Sequence, residues 1–192
     1  PSYRQLLWQA REFYGFIHFG LNTMTNREWG NGRESLALFD PQAVDCKEWV
    51  TLCKCSGMKG MILTCKHHDG FCLWPSNYSQ QTVAYTPWKN GKGDLVKELS
   101  EACQEAGMAF GIYLSPWDQH AASYGTGQAY NEVYVGQLTE LLTQYGEIAE
   151  VWLDGANGEG PNGKRQFYDW QRYYQQIRQL QPDAVIAVCG PD

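Results

Sequence analysis

Residues 149–155, Ala149-Glu150-Val151-Trp152-Leu153-Asp154-Gly155, read as a buried strand that ends in a placed carboxylate. An apolar run is broken by one acid and then by glycine. Parallel sheets carry their chemistry at the carboxyl ends of their strands. A lone Asp after a strand is often only a turn former or a helix cap. Asp154 stands out because other strand-like segments also end in polar clusters. These are Phe16-Ile17-His18, Thr64-Cys65-Lys66-His67-His68-Asp69 and Tyr113-Leu114-Ser115-Pro116-Trp117-Asp118.

Strand and helix signals alternate outward from this segment. Strands are expected over Phe13–Phe19, Gly60–Cys65, Ala109–Leu114, Ile148–Leu153 and Ala184–Val188. Four helices are expected between them. The first starts near Asp40-Pro41, a capping acid followed by proline at the first helical position. The second starts at Asp94, with Leu95, Leu99, Cys103 and Ala106 on its inner face and Gly107 as its stop. The third covers about residues 130–145. The fourth runs from about Arg165 to Leu180, with Phe167, Trp170, Tyr174 and Ile177 inward. Such alternation predicts right-handed crossovers and an α/β fold with a parallel sheet.

The strand-to-helix loops are long and polar, whereas the helix-to-strand loops are short. That asymmetry fits a (β/α)8-type TIM-like barrel with its site on one face. A whole barrel takes about 250 residues, and this chain has 192. A partial barrel of about five parallel strands and four helices is therefore expected, with residues 1–192 as the N-terminal portion of a single catalytic domain. The remaining barrel strands and any accessory β domain would lie outside it.

Composition narrows the function. With 15 basic and 21 acidic residues the formal net charge is −6. No Lys/Arg cluster occurs, which argues against a nucleic-acid partner. No apolar run is long enough to span a membrane. No secretory signal opens the chain at Pro1-Ser2-Tyr3-Arg4, although a trimmed secreted protein would also lack one. The seven cysteines are expected to be mostly reduced core thiols, with Cys53, Cys65, Cys103 and Cys189 at apolar positions of helices or strands. The 8 Trp, 12 Tyr and 7 Phe suit either a core or a site that stacks the flat faces of sugars.

His67 and His68 would point to opposite sides of a continuous strand. They share a pocket only where the strand has ended. His18 is available as a third imidazole and His120 is possible, but no His-x-His or His-Glu-x-x-His pattern occurs. No metal and no organic cofactor are expected. Hydrogen bonding to substrate hydroxyls is the better use of these rings, with Glu28-Trp29 of the first loop leaning over the mouth. Gly158, Gly160 and Gly163 satisfy Gly-x-Gly-x-x-Gly. However, the pattern starts away from the strand end, contains Pro161 and lacks the expected ribose-binding acid, so a plain loop is expected.

Taken in order, Phe16–Gly20, Glu28–Gly30, Lys66–Trp74, Gly111–Asp118 and Val151–Gly155 resemble glycoside hydrolase family 29, the α-L-fucosidases. The Ser115-Pro116-Trp117-Asp118 wording and the Gly190-Pro191-Asp192 ending are similar to the branch that removes α-1,3/1,4-linked fucose. The resemblance implies a retaining hydrolase with Asp154 as nucleophile. It implies that His18, His67 and His68 bind fucose hydroxyls and that Glu28, Trp29, Tyr113 and Trp152 line the pocket. It further implies a fucosylated oligosaccharide or glycoconjugate substrate and a secreted, periplasmic or lysosomal-type compartment. A retaining enzyme needs a second carboxyl about 5–5.5 Å from the nucleophile. The resemblance places that acid/base Glu after Asp192, so Glu159 is not assigned the role. Two alternatives remain open: a fucose-binding fragment without turnover, and a (β/α)-barrel glycoside hydrolase acting on another sugar.

Overall fold

The computed structural model describes residues 1–189 of the 192. Gly190-Pro191-Asp192, cited above for the linkage, lie outside the described residues. Five strands form one sheet: β1 Gly15–Ile17, β2 Gly60–Lys66, β3 Ala109–Leu114, β4 Glu150–Asp154 and β5 Val185–Cys189. All neighbours pair in parallel, in the order β1-β2-β3-β4-β5. Sequential order without a reversal is the winding of a barrel wall rather than of a doubly wound sheet.

Among the described residues six α-helices accompany the sheet. Four are the expected crossovers: α3 Cys46–Cys55, α4 Leu95–Ala106, α5 Gln128–Gln144 and α6 Trp170–Leu180. Two were not anticipated, α1 Tyr3–Arg11 before the first strand and the short α2 Leu21–Thr25 in the first loop. Tyr3, Leu6, Leu7 and Ala10 recur at helical spacing along α1, although none of its residues is buried. It is anchored by Trp8, whose indole N–H donates to Glu150 Oε2 at 2.8 Å.

The outward faces of the strands supply the core. Leu63, Ile112, Leu114, Val151 and Leu153 are buried in one cluster with Leu95, Leu99 and Cys103 of α4 and Leu138 and Leu142 of α5. Burial of each Leu stabilises the fold by roughly 1.5–3 kcal/mol. The α4 boundaries follow the expected signals. Asp94 accepts from the Lys97 amide at 2.9 Å, and Gly107 closes the helix at φ +66°, where a side chain would be strained.

Two helix starts differ from expectation. The α3 cap is Asp45, not Asp40, because the Asp45 carboxylate is the one that reaches the Glu48 amide, at 3.0 Å. The chain after Asp40 runs without helix, following Phe39, which is fully buried against Phe71 and Trp88. Helix α6 begins at Trp170 under an Asp169 cap. Phe167 is 84% exposed rather than inward. Gln166 is buried instead and ties the loop to the Gly125 and Gly127 amides. Tyr173 and Ile177 are the inward residues of α6, while Trp170 and Tyr174 are half-buried.

All seven cysteines are free. Cys65 and Cys103 are buried as expected, Cys53 is half-buried, and Cys46 and Cys72 join the core instead. Cys189 is exposed because β5 forms an edge of the sheet. Among the described residues no helix is long and apolar enough to cross a membrane.

Candidate active site

The carboxyl ends of β1–β4 converge as the sequence suggests. Asp154, the last residue of β4, receives two hydrogen bonds. Tyr113 OH donates to Oδ2 at 2.8 Å and the Ala156 amide donates to Oδ1 at 2.9 Å. These two donors fix both carboxylate oxygens, while 28% of the side chain stays exposed to a ligand. The nearby carboxylate raises the Tyr113 phenol above its ordinary range, burial being the larger cause.

A bulge in β2 brings His67 into this site, and the end of the strand at Lys66 lets the adjacent His68 join it. Thr64 pairs with Tyr113, but Lys66 pairs with Leu114, so Cys65 is an extra residue. A β-bulge of this kind re-aims the side chains that follow it. Cys65 and Lys66 both face outward, into the helices. Lys66 Nζ donates to Gln137 Oε1 of α5 at 2.8 Å, to Asp118 Oδ2 at 3.0 Å and to Tyr130 OH at 3.3 Å. His67 then faces inward and stacks on Tyr113 with ring centres 5.7 Å apart. Unbroken alternation would have put Lys66 in the mouth and His67 outside.

His18 follows β1 and lies 5.8 Å from His67, ring centre to ring centre. Burial pushes the His67 imidazole down to about 4, with His68 and His18 adding to the effect. Burial also lowers His68, opposed by Asp154 and assisted by Lys66. His18, at the open edge of the mouth, is lowered by partial burial against the pull of Asp154. All three rings are therefore neutral near pH 7. His67 Nδ1 is buried without a partner. A buried lone pair costs less than a buried N–H left unpaired, so this ring carries its proton on Nε2.

Trp29 is 54% exposed and stands edge-on to His68 and Trp117, at 5.7 and 5.9 Å. Trp152 packs edge-on against Phe16 at 5.3 Å, and Phe16 stacks under His18. Glu28 is exposed and lines a neighbouring cavity of about 440 Å3 with His18, Thr64, His67 and Asp69. Asp154 does not line that cavity. The shared histidines connect the two spaces.

Several contributors lacked a role in the sequence reading. Asp69 is 1% exposed, and burial pushes its carboxyl up to about 7, with Glu34 and Asp118 adding to it and the Phe71 amide opposing. Asp118 is fully enclosed. Burial alone would raise it, but Lys66 and the Ala121 and His120 amides outweigh burial and hold it below the carboxylate range. Ser115 lies two residues after Tyr113, and that spacing could have flagged a shared strand face. Gly158 and Gly160 do not cradle a nucleotide. A Cβ on Gly158 would strike the Trp117 ring, and one on Gly160 would strike Tyr124. Their role is close packing of aromatics. Among the described residues no group of three His, Cys, Asp or Glu side chains is placed to hold a metal ion. His120 instead lies 2.8 Å from the Gly32 carbonyl through Nδ1.

The sequence model of the family described as "Alpha-L-fucosidase" matches residues 33–189. Over its full length the chain is 51% identical to Alpha-L-fucosidase 1 of Arabidopsis thaliana and covers 38% of that protein. Among solved structures it is similar to a glycoside hydrolase 29 family member from an unknown rumen bacterium. That match has 50% identity and a TM-score of 0.91, over 97% of this chain and 35% of the other. A GH29 fucosidase of Ruminococcus gnavus in complex with fucose shares 35% identity at a TM-score of 0.85, over 94% of this chain and 40% of the other. The chain thus spans between 35% and 40% of the length of these three relatives.

Proposed function

The chain belongs to the α-L-fucosidase family, glycoside hydrolase family 29, and from that premise we propose that its site cleaves terminal α-L-fucose with retention, through Asp154 as nucleophile. The observation that carries this is the Asp154 carboxylate, fixed by Tyr113 OH and the Ala156 amide at the end of β4 and faced by a wall of neutral imidazoles. Both donors occupy the oxygens laterally, which orients the carboxylate for attack on an anomeric carbon. The leaving oxygen departs as the Asp154–C1 bond forms, and water later breaks that bond.

His18, His67 and His68 suit hydroxyl recognition because each neutral ring offers one donor and one acceptor. Trp29 and Trp152 supply apolar faces for the sugar, and Glu28 offers a carboxylate acceptor at the rim. The Ruminococcus gnavus relative was captured with fucose, which supports this sugar over other hexoses. The Ser115–Asp118 segment supports an α-1,3/1,4 linkage and hence a fucosylated oligosaccharide or glycoconjugate substrate. The second carboxyl, acting first as acid and then as base, is assigned to residues beyond those described.

The decisive experiment uses an enzyme comprising the whole catalytic domain. Asp154→Ala is expected to abolish turnover of 4-nitrophenyl α-L-fucoside, since the covalent intermediate cannot form. Activity retained within about tenfold would remove Asp154 from the role. A panel of other aryl glycosides tests the sugar: comparable turnover of a second glycoside would favour a different barrel hydrolase.

A further inference from the structure

His68 and Ser115 form a hydrogen-bonded pair whose proton positions can be counted. Ser115 is fully buried, and its amide is held by the Lys66 carbonyl at 3.0 Å. Its Oγ lies 2.8 Å from the Trp117 carbonyl and 2.7 Å from His68 Nδ1. A carbonyl cannot donate, so the single hydroxyl proton of Ser115 is spent on Trp117. The contact to His68 then needs a proton from the ring, on Nδ1. In a neutral ring this leaves Nε2 with its lone pair.

That Nε2 lies 3.9 Å from Asp154 Oδ2, too far for a hydrogen bond. The Tyr113 proton already sits on Oδ2. Two acceptors therefore face each other across a gap beside the nucleophile. The groups bearing on the ring are Asp154, Lys66 and the His67 ring, 4.3 Å away. Trp117, at 4.8 Å, covers its face.

We propose that Ser115 is a positioning residue that locks His68 in the Nδ1–H tautomer, so that Nε2 accepts the proton of a sugar hydroxyl next to Asp154. His68 is then an obligate acceptor, whereas His67 carries its proton on Nε2. The wall so discriminates ligand hydroxyls by proton direction as well as by place. Only the identity of the sugar rests on the fucosidase assignment; the tautomer stands without it.

Long-range 1H–15N correlation spectra of the chain read this directly through the coupling pattern of the imidazole nitrogens. At pH 7 His68 is expected to show a protonated Nδ1 and an unprotonated Nε2. A proton on Nε2, alone or together with Nδ1, overturns the proposal. Ser115→Ala is expected to shift His68 toward the Nε2–H form, and Ser115→Thr, which keeps the hydroxyl, to retain Nδ1–H. An unchanged tautomer in Ser115→Ala overturns the role of Ser115. Should that variant fail to fold, loss of Nδ1–H in Ser115→Thr does the same. In the whole catalytic domain, Ser115→Ala is expected to lower kcat/KM roughly tenfold or more. It should also move the acid limb of the pH profile downward, because the charged ring then carries an Nδ1–H that has lost its acceptor. A limb that stays in place argues for a merely structural serine and against the proposal. Failure of the fucosidase assignment would look different: no fucoside turnover with the wild-type tautomer intact.

Discussion

At the residue scale, the site joins groups whose titrations oppose each other. Folding depresses His67 from 6.5 to about 4. Its contribution to stability is present above pH 6.5 and is lost as pH falls toward 4, where the unfolded chain takes up the proton first. Folding raises Asp69 from 3.8 to about 7. Its contribution is present below pH 3.8 and is lost as pH rises through about 7. Between pH 4 and 6.5 the two offset each other, and from 6.5 to about 7 only the Asp69 loss remains. Asp69→Asn is therefore expected to flatten the decline in Tm across that last interval, as followed by thermal unfolding at a series of pH values. A decline as steep as in the wild type would show that another group titrates there. Asp154, His18, His67 and His68 were legible in the sequence because each ends a strand-like segment. Ser115 was not, because its importance is a proton count that requires three distances.

At the scale of elements, the bulge in β2 sets which side chains reach the mouth. It turns Lys66 into the helix layer, where Asp118, Gln137 and Tyr130 receive it. Lys66→Met leaves the buried Asp118 carboxylate without its cation and is expected to cost about 3–5 kcal/mol in urea unfolding. The pair Lys66→Met with Asp118→Asn removes the unpaired charge and is expected to lose much less. Equal losses in both variants would mean that the ammonium acts through packing alone. The boundaries of α4 and β3 were readable because cap, periodicity and stop agree. The starts of α3 and α6 were displaced because Asp40 and Asp45, or Arg165 and Asp169, are competing entry points. Tertiary anchors chose between them: Phe39 in the core and Gln166 across the loops.

At the scale of the whole molecule, five sequentially ordered strands present one arc of a wall, and the proposed mechanism needs a second carboxyl besides Asp154. These 192 residues alone are expected to hydrolyse 4-nitrophenyl α-L-fucoside poorly or not at all. Robust turnover by the purified chain would falsify the placement of the acid/base group elsewhere. The strand–helix alternation, the parallel α/β class and the polar strand ends were determined by the sequence itself, because hydrophobic periodicity and caps are local properties. Only the tertiary structure decided that adjacent His67 and His68 share one mouth, that Lys66 leaves it, and that Tyr113 and Ala156 both serve Asp154. Those outcomes depend on register between strands far apart in sequence. A single extra residue at Cys65 reverses the facing of Lys66 and His67, and the sequence of β2 alone gives no sign of that shift.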